Sequence, residues 1–256
     1  MKKRLTRFLP FLLAFTIALP SYSVFAEEEN QAKETQTNET NETQADETTA
    51  NDTLSLAAET AVLIDAASGE ILYDKDADKK MYPASITKLM TILLALENGK
   101  LTDEITFSHD AVYNIEPGSA HIAILEGETL TLEQVLRAII LRSANEASNG
   151  VAEYVDGSVE AFAKHMTERA KELGCTNTNF VNANGLFDEN HYTTAHDMAL
   201  IARELLKHEE YRSMMSETDY EIPPTNLQTE TRYLHGQHQM LNPNSIYYYK
   251  DAIGFL

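Results

Sequence analysis

The order of apolar patterns along the chain constrains the fold more than any other feature of these 256 residues. Short apolar runs occupy residues 60–65 and 70–73, joined by Ala-Ala-Ser-Gly, and predict a β-hairpin. A long middle part then repeats its apolar residues at helical spacing, and short apolar runs return after residue 219. We therefore expect an α+β domain in which strands from the two ends pair in one sheet.

The same patterns predict the individual elements that follow the hairpin. Apolar residues recur every three or four positions in five stretches, which predicts helices at 85–97, 132–141, 146–154, 159–173 and 194–206. Short apolar runs predict further strands at 104–107, 220–222 and 231–234.

The N-terminus has the three parts of an export signal. Four basic side chains lie within the first seven residues, residues 8–19 are apolar, and the small residues Val24 and Ala26 precede the expected cut. The apolar run is shorter than the roughly 20 residues that span a bilayer as a helix. We therefore predict a cleaved signal peptide over residues 1–26 and a protein secreted into the cell envelope. An uncleaved anchor is the alternative.

Residues 27–53 contain nine acidic side chains, one Lys and almost nothing apolar among Thr, Asn and Gln. A segment of this composition cannot bury enough apolar surface to offset the entropy that ordering would cost. We therefore predict a disordered acidic spacer, followed by one folded domain over residues 54–256.

Acidic residues dominate the whole chain. It carries 40 Asp and Glu against 20 Lys and Arg, a formal net charge of −20. Nucleic acid and anionic membranes require a basic surface, so we exclude both as partners. The single cysteine, Cys175, rules out an internal disulfide. The domain must therefore depend on its apolar core for stability.

The first group of chemically interesting residues is Ser85 and Lys88, at the start of a predicted helix. Their spacing puts both side chains on one face, one turn apart. The helix N-terminus offers free N–H groups to a developing negative charge, and a desolvated Lys can take a hydroxyl proton. The alternative is an ordinary helix start with Lys88 exposed to solvent.

The second group, Ser143 and Asn145, lies in a predicted connection between two helices. There, the hydroxyl could relay a proton to a leaving amine, and the amide could bind a peptide carbonyl. The alternative is helix capping, since both residue types cap helices well.

Four ordered segments resemble the serine D-alanyl-D-alanine carboxypeptidases, the low-molecular-mass penicillin-binding proteins of the penicilloyl-serine transferase superfamily. The resemblance extends from about Glu59 to Gly254. The segments are 61–73 (AVLIDAASGEILY), 82–89 (YPASITKL), 141–147 (LRSANEA), and 180–186 (FVNANGL) followed by 191–202 (HYTTAHDMALIA).

The resemblance implies a role for each candidate residue. Ser85 becomes the acyl-ester nucleophile and its N–H half of the oxyanion hole, Lys88 the general base, Ser143 the proton relay and Asn145 a substrate-binding residue. The implied substrate is a peptidoglycan stem peptide ending in D-Ala-D-Ala, with β-lactam antibiotics as inhibitors and no cofactor. The implied fold is β-lactamase-like, with an antiparallel sheet flanked by helices and an all-helical subdomain.

Residues 247–255 (YYYKDAIGF) resemble the lead-in to the family's Lys-Thr-Gly strand, but Leu256 follows where that Lys is expected. In the family, this Lys helps bind the substrate's terminal carboxylate, and backbone beyond it supplies the second oxyanion donor. One such donor can contribute about 10²–10³ in rate. We therefore expect the C-terminal strands to be missing and this chain by itself to be inactive.

Three other functions stay open. A non-catalytic remnant of a penicillin-binding protein would keep the cleft without turnover. A serine β-lactamase would need a carboxylate to position the deacylating water, but no Glu-x-x-Leu-Asn pattern follows the second motif. An acidic stalk or adhesin would need internal repeats, and the sequence contains none.

The histidines do not predict a metal site. His191 and His196 are five positions apart, and His235 and His238 three apart, so neither pair matches a zinc-hydrolase motif such as His-Glu-x-x-His. His208 is followed by two Glu without a second His. We therefore expect no metal.

Overall fold

The computed structural model describes residues 12–16 and 55–254, the first stretch as backbone only. The predicted signal peptide, apart from that stretch, and the predicted spacer at 27–53 lie outside the described residues. Within the described part of the chain, no helix has the length and apolar character needed to cross a membrane.

Seven strands and seven helices are described. The strands are β1 (Leu12–Thr16), β2 (Ala61–Asp65), β3 (Ile71–Lys75), β4 (Glu104–Thr106), β5 (Thr129–Thr131), β6 (Asp219–Ile222) and β7 (Arg232–His235). The helices are α1 (Lys88–Asn98), α2 (His109–Tyr113), α3 (Leu132–Arg142), α4 (Asn145–Asp156), α5 (Val159–Glu172), α6 (Ala195–Leu205) and α7 (Glu209–Met214). The α+β class and the five predicted helices are confirmed. Four elements were not predicted: β1, which lies in the apolar run of the predicted signal peptide, and α2, α7 and β5, which are too short to show a period.

The predicted N-terminal hairpin is present as β2 and β3, with β1 antiparallel on the other edge of β2. The Asp65 carboxylate accepts hydrogen bonds from the backbone N–H groups of Ala67 and Ser68, which closes the turn. Arg203 of α6 donates to the carbonyl oxygens of Ala66 and Ala67. Helix α6 is thereby attached to the hairpin.

The expectation that strands from both ends share one sheet is wrong for the described residues. Strand β6 pairs with β7 in a separate antiparallel sheet, from Asp219 opposite His235 to Ile222 opposite Arg232. This small sheet packs on α3, where its inward-facing Ile222 and Leu234 are buried. Strands β4 and β5 form a third sheet.

Helix α1 runs through the centre of the core and contacts α3, α4, α5 and α6. A helix that is apolar around most of its circumference must be surrounded by other elements. Its fully buried apolar side chains are Leu89, Met90, Ile92, Leu93, Leu94 and Ala95. The residues just before Lys88 are therefore attached to a helix that is held in place by its neighbours.

Candidate active site

Ser85 lies in a 3₁₀ turn, Ala84–Thr87, that leads directly into α1, whose first residue is Lys88. The turn starts from Ala84, which has a φ of 48°, a left-handed conformation that is strained for a residue with a Cβ. Such strain is often found at functional sites. The Ser85 side chain is exposed, and Lys88 Nζ donates to Ser85 Oγ at 3.2 Å.

Lys88 is fully buried, so the alternative of an exposed lysine is wrong. Its ammonium also donates to the carbonyl oxygen of Asn184 at 2.6 Å. Burial lowers the pKa of Lys88 to about 7, while the negative charge of Glu146 acts in the opposite direction. Near neutral pH, a substantial fraction of Lys88 is therefore the uncharged amine, which can accept the Ser85 proton.

The second motif lies where α3 ends and α4 begins. Ser143 closes α3 with a φ of 53°, and its buried Oγ has no partner among the described residues. Asn145 is 4% exposed, and its N–H donates to the carbonyl of Ala120 at 2.9 Å. Neither side chain caps α4, whose N-cap is Ala144, but Ser143 is the C-cap of α3 through its backbone, so the capping alternative holds for that residue. Within residues 55–254, no hydrogen bond joins either side chain to Ser85 or Lys88.

A groove of about 690 Å³ lies beside Ser143. Its lining combines apolar side chains such as Met215 and Leu241 with polar ones such as Gln237 and Asn242. Apolar walls with a few polar groups are typical of small-molecule and peptide sites. Ser143 is part of the wall of this groove, whereas Ser85, Lys88 and Asn145 do not line it.

The segment 180–186 forms a platform under the turn that contains Ser85, Ala84–Thr87. Its residues Ala183 and Asn184 present carbonyl oxygens to α1, where Thr91 Oγ1 donates to Ala183 at 2.6 Å and Lys88 donates to Asn184. The Asn184 side chain donates to Asn149 of α4 at 3.1 Å. Three parts of the chain that are distant in sequence are thereby joined around the Lys88 amine.

Gly185 makes the close approach of this platform possible. It has a φ of 85°, which favours glycine. A Cβ at this position would lie 1.9 Å from the carbonyl oxygen of Ala84, directly before Ser85. Asn182 Oδ1 accepts the Gly185 N–H at 2.7 Å and holds the turn closed.

His191 joins this platform to the turn that contains Ser85 through hydrogen bonds at both of its ring nitrogens. Its Nδ1 accepts the N–H of Val181 at 3.1 Å, so the proton is on Nε2, which donates to Thr87 Oγ1 at 2.7 Å. The ring is 2% exposed, and burial lowers the pKa of His191 to about 4. It is therefore neutral throughout the physiological pH range.

Replacing His191 with Phe is expected to remove part of the acid sensitivity of the fold. The pKa of His191 is about 4 in the folded state and ordinarily 6.5, so the unfolded chain binds the extra proton between these pH values. Wild-type stability should therefore fall by on the order of 3 kcal/mol from this residue as pH decreases from 6.5 to 4. The Phe variant is less stable at pH 7 by about 2 kcal/mol, because Thr87 and Val181 lose a partner. Its denaturation midpoint should change less between pH 7 and 4, and an equal change in both proteins would contradict this role.

The comparison with known proteins identifies the family. A sequence profile of the D-alanyl-D-alanine carboxypeptidases matches residues 44–252, most of the chain. The chain belongs to the D-alanyl-D-alanine carboxypeptidase family. The stalk or adhesin alternative is therefore wrong.

Curated members of the D-alanyl-D-alanine carboxypeptidase family align with part of the chain. DacF of Bacillus subtilis is 43% identical over 161 residues, which cover 61% of this chain and 41% of that protein. DacC of Escherichia coli is 37% identical over 160 residues, or 59% of this chain and 40% of its own length. The matched region thus spans about two fifths of the length of these relatives.

Solved structures agree with the sequence match. Penicillin-binding protein 5 of Haemophilus influenzae superimposes with a TM-score of 0.65 at 29% identity, covering 73% of this chain and 54% of that one. A D-alanyl-D-alanine carboxypeptidase of Mycobacterium tuberculosis gives a TM-score of 0.68 at 24% identity, covering 77% and 70%. The β-lactamase-like fold expected from the resemblance is confirmed.

Three contacts of this site did not follow from the sequence reasoning. The segments 180–186 and 191–202 resemble the family, but the sequence predicts no function for Asn184 and, for His191, tests only a metal site. Glu146 received no role at all. For Glu146 the sequence does contain a signal. This residue follows Asn145 at the start of a helix that packs on the core, so its carboxylate must be either buried or turned away from the core.

Proposed function

We propose that the chain belongs to a serine D-Ala-D-Ala carboxypeptidase that trims peptidoglycan stem peptides through an acyl-enzyme on Ser85. The observation that carries this proposal is the contact between the exposed Ser85 hydroxyl and the fully buried Lys88 amine, whose pKa is about 7. A base is most effective when its pKa is close to the working pH.

The proposed reaction has two stages, acylation and deacylation of Ser85. Lys88 takes the Ser85 proton while Ser85 Oγ attacks the carbonyl carbon of the penultimate D-Ala. The C–N bond then breaks, and the departing D-Ala amine receives a proton through Ser143, whose hydroxyl is free of other partners among the described residues. Water hydrolyses the resulting ester. Asn145 binds a peptide carbonyl of the substrate, and the Ser85 N–H forms half of the oxyanion hole.

The proposed surroundings are those of the cell wall. β-Lactam antibiotics would acylate Ser85 in place of the peptide and so act as inhibitors. The signal sequence over residues 1–26 would export the protein, with cleavage after about Ala26. No nucleic acid, metal or cofactor takes part.

Labelling with fluorescent penicillin tests the proposal in two forms of the protein, because the 256 residues contain no Lys-Thr-Gly. One form is residues 27–256. The other, called the extended chain below, continues after Leu256 with a family C-terminal segment that begins at Lys-Thr-Gly. We expect stoichiometric labelling and D-Ala release from the extended chain, with the label located on Ser85 by peptide mass spectrometry.

Ser85→Ala is the decisive variant, and Ser213→Ala, which changes an exposed serine of α7, is its matched control. Ser85→Ala should abolish labelling and release with an unchanged thermal melt, while Ser213→Ala should behave as the wild type. Undiminished labelling of Ser85→Ala would show that the nucleophile is wrongly assigned. Failure of both forms to label would favour the non-catalytic alternative.

A further inference from the structure

Glu146, the residue after Asn145, has a buried carboxylate that packing does not explain. Its side chain is 1% exposed. Oε1 accepts the N–H of Ile122 at 2.7 Å and, more weakly, that of Ile124 at 3.5 Å. Oε2 is also buried, but no described residue donates to it. A buried carboxylate oxygen without a donor is destabilising, so its retention needs a reason other than stability.

Lys88 lies on α1, which packs against α4, the helix that carries Glu146, and its buried amine also lacks a charged partner within the described part of the chain. It is fully buried, and its two acceptors, the Ser85 hydroxyl and the Asn184 carbonyl, carry no charge. A buried cation that is solvated only by neutral dipoles is costly. Among the described residues, the charge that acts on this amine is that of Glu146, although the two groups do not form a direct ion pair.

We propose that Glu146 is a positioning residue acting through Lys88: its buried carboxylate stabilises the ammonium that Lys88 becomes on taking the Ser85 proton. This inference deepens the proposed function and rests on it. The carboxylate is held in place by the Ile122 and Ile124 N–H groups, which both donate to Oε1, while Oε2 has no donor among the described residues.

The proton and the charges balance without a proton transfer to Glu146. Before attack, Lys88 is neutral and Glu146 is an anion. When Ser85 Oγ forms its bond to the carbonyl carbon, the hydroxyl proton moves to Lys88, and a buried cation then coexists with the buried anion. As the C–N bond breaks, the proton leaves with the amine, and Lys88 is neutral again. Glu146 carries the same charge throughout.

Other ionisable groups near this pair act in known directions. Burial raises the pKa of Glu146, while its backbone hydrogen bonds and the neighbouring His121 lower it. His191, which touches Thr87 next to Lys88, is neutral above about pH 4 because burial lowers its pKa to about 4. Burial is the main cause of the lowered pKa of Lys88, and the charge that opposes it is that of Glu146.

The test compares Glu146→Gln, which removes the charge at constant shape, with Glu146→Asp, which keeps the charge on a shorter side chain. Glu153→Gln is the matched control, because Glu153 is also on α4 but forms an exposed hydrogen bond to Ser108. The first readout is an NMR titration of lysine labelled with ¹³C at Cε in residues 27–256, in which the Lys88 signal is identified by its absence in Lys88→Met. The second is the pH dependence of penicillin acylation in the extended chain.

We expect Glu146→Gln to move the Lys88 titration and the acid limb of acylation to lower pH, because the ammonium form of Lys88 is no longer stabilised by an anion. Its maximal acylation rate should fall about tenfold, since the cation formed in the reaction loses its counter-charge. Glu153→Gln should match the wild type in both readouts, and Glu146→Asp should lie closer to the wild type than Glu146→Gln.

An unchanged Lys88 midpoint in Glu146→Gln would overturn the inference, and so would equal shifts in the Gln and Asp variants, which would point to packing instead of charge. Thermal melts at each pH identify a variant that fails to fold. If no form of the protein is acylated, the proposed function fails, while the NMR titration still decides whether Glu146 controls Lys88.

Discussion

Replacing Lys88 with Met is expected to stabilise the fold and, in the extended chain, to slow acylation of Ser85 by about 10²–10⁴-fold, the usual contribution of a general base. The stabilisation follows from burial, which lowers the pKa of Lys88 from 10.5 to about 7. A shift of that size corresponds to a penalty on the order of 4 kcal/mol when the amine is charged. Losing the bond to the Asn184 carbonyl offsets about 1–2 kcal/mol of the gain.

The sign of the pH dependence distinguishes this explanation from a simple gain in packing. Between pH 7 and 10.5 the unfolded chain binds a proton at this lysine that the folded chain does not. Wild-type stability should therefore rise as pH increases through this window. The advantage of Lys88→Met should be largest at pH 7 and below, and it should shrink towards pH 10.

Thermal melts of residues 27–256 at several pH values provide the measurement. At pH 6 we expect the midpoint of Lys88→Met to be about 5–10 °C above that of the wild type. Lys164→Met is the control, because Lys164 is an exposed residue of α5 and should change the midpoint by little. A Lys88→Met protein that is less stable than the wild type at pH 6 would contradict the burial of a charged amine.

Gly185→Ala is expected to destabilise the fold and to distort the turn that contains Ser85. The new methyl group would lie 1.9 Å from the carbonyl oxygen and 2.4 Å from the carbonyl carbon of Ala84. Backbone cannot move aside as a flexible side chain can, so the strained residue before Ser85 must shift. We expect a loss of more than about 3 kcal/mol of stability. Because a displacement of about 1 Å can reduce a rate about 10²-fold, acylation should fall by a similar factor.

Gly157→Ala is the matched control for this prediction. Gly157 has a φ of 78°, close to the 85° of Gly185, but no atom lies within 4 Å of the position of its Cβ. It should therefore lose only the roughly 1–2 kcal/mol of left-handed strain and retain acylation. Thermal melts and penicillin labelling of Gly185→Ala and Gly157→Ala measure the losses of stability and of acylation. Equal losses in the two would show that the contact with Ala84 has no special importance.

The local elements of this fold could be predicted because their causes are local. The helices at 132–142 and 159–172 follow from a three-to-four residue period, and the hairpin from two apolar runs around a Gly-containing turn. The pairing of β6 with β7 instead of with the N-terminal strands could not be predicted. Strand pairing depends on which apolar surface is available, here that of α3, and periodicity does not describe that surface.

The sequence by itself determined the chemistry available to the site: a hydroxyl and an amine one helical turn apart, at Ser85 and Lys88, and an ordered set of segments typical of one family. Only the tertiary structure decided the pKa of the amine, and with it the fraction of Lys88 that is uncharged near neutral pH. The pKa of Lys88 depends on its complete burial, on the Asn184 carbonyl and on the charge of Glu146, which are brought to it from residues 58 and 96 positions away in the chain. Desolvation and electrostatic attraction depend on distance in space, so they exist only once α1, α4 and the 180–186 segment have packed together.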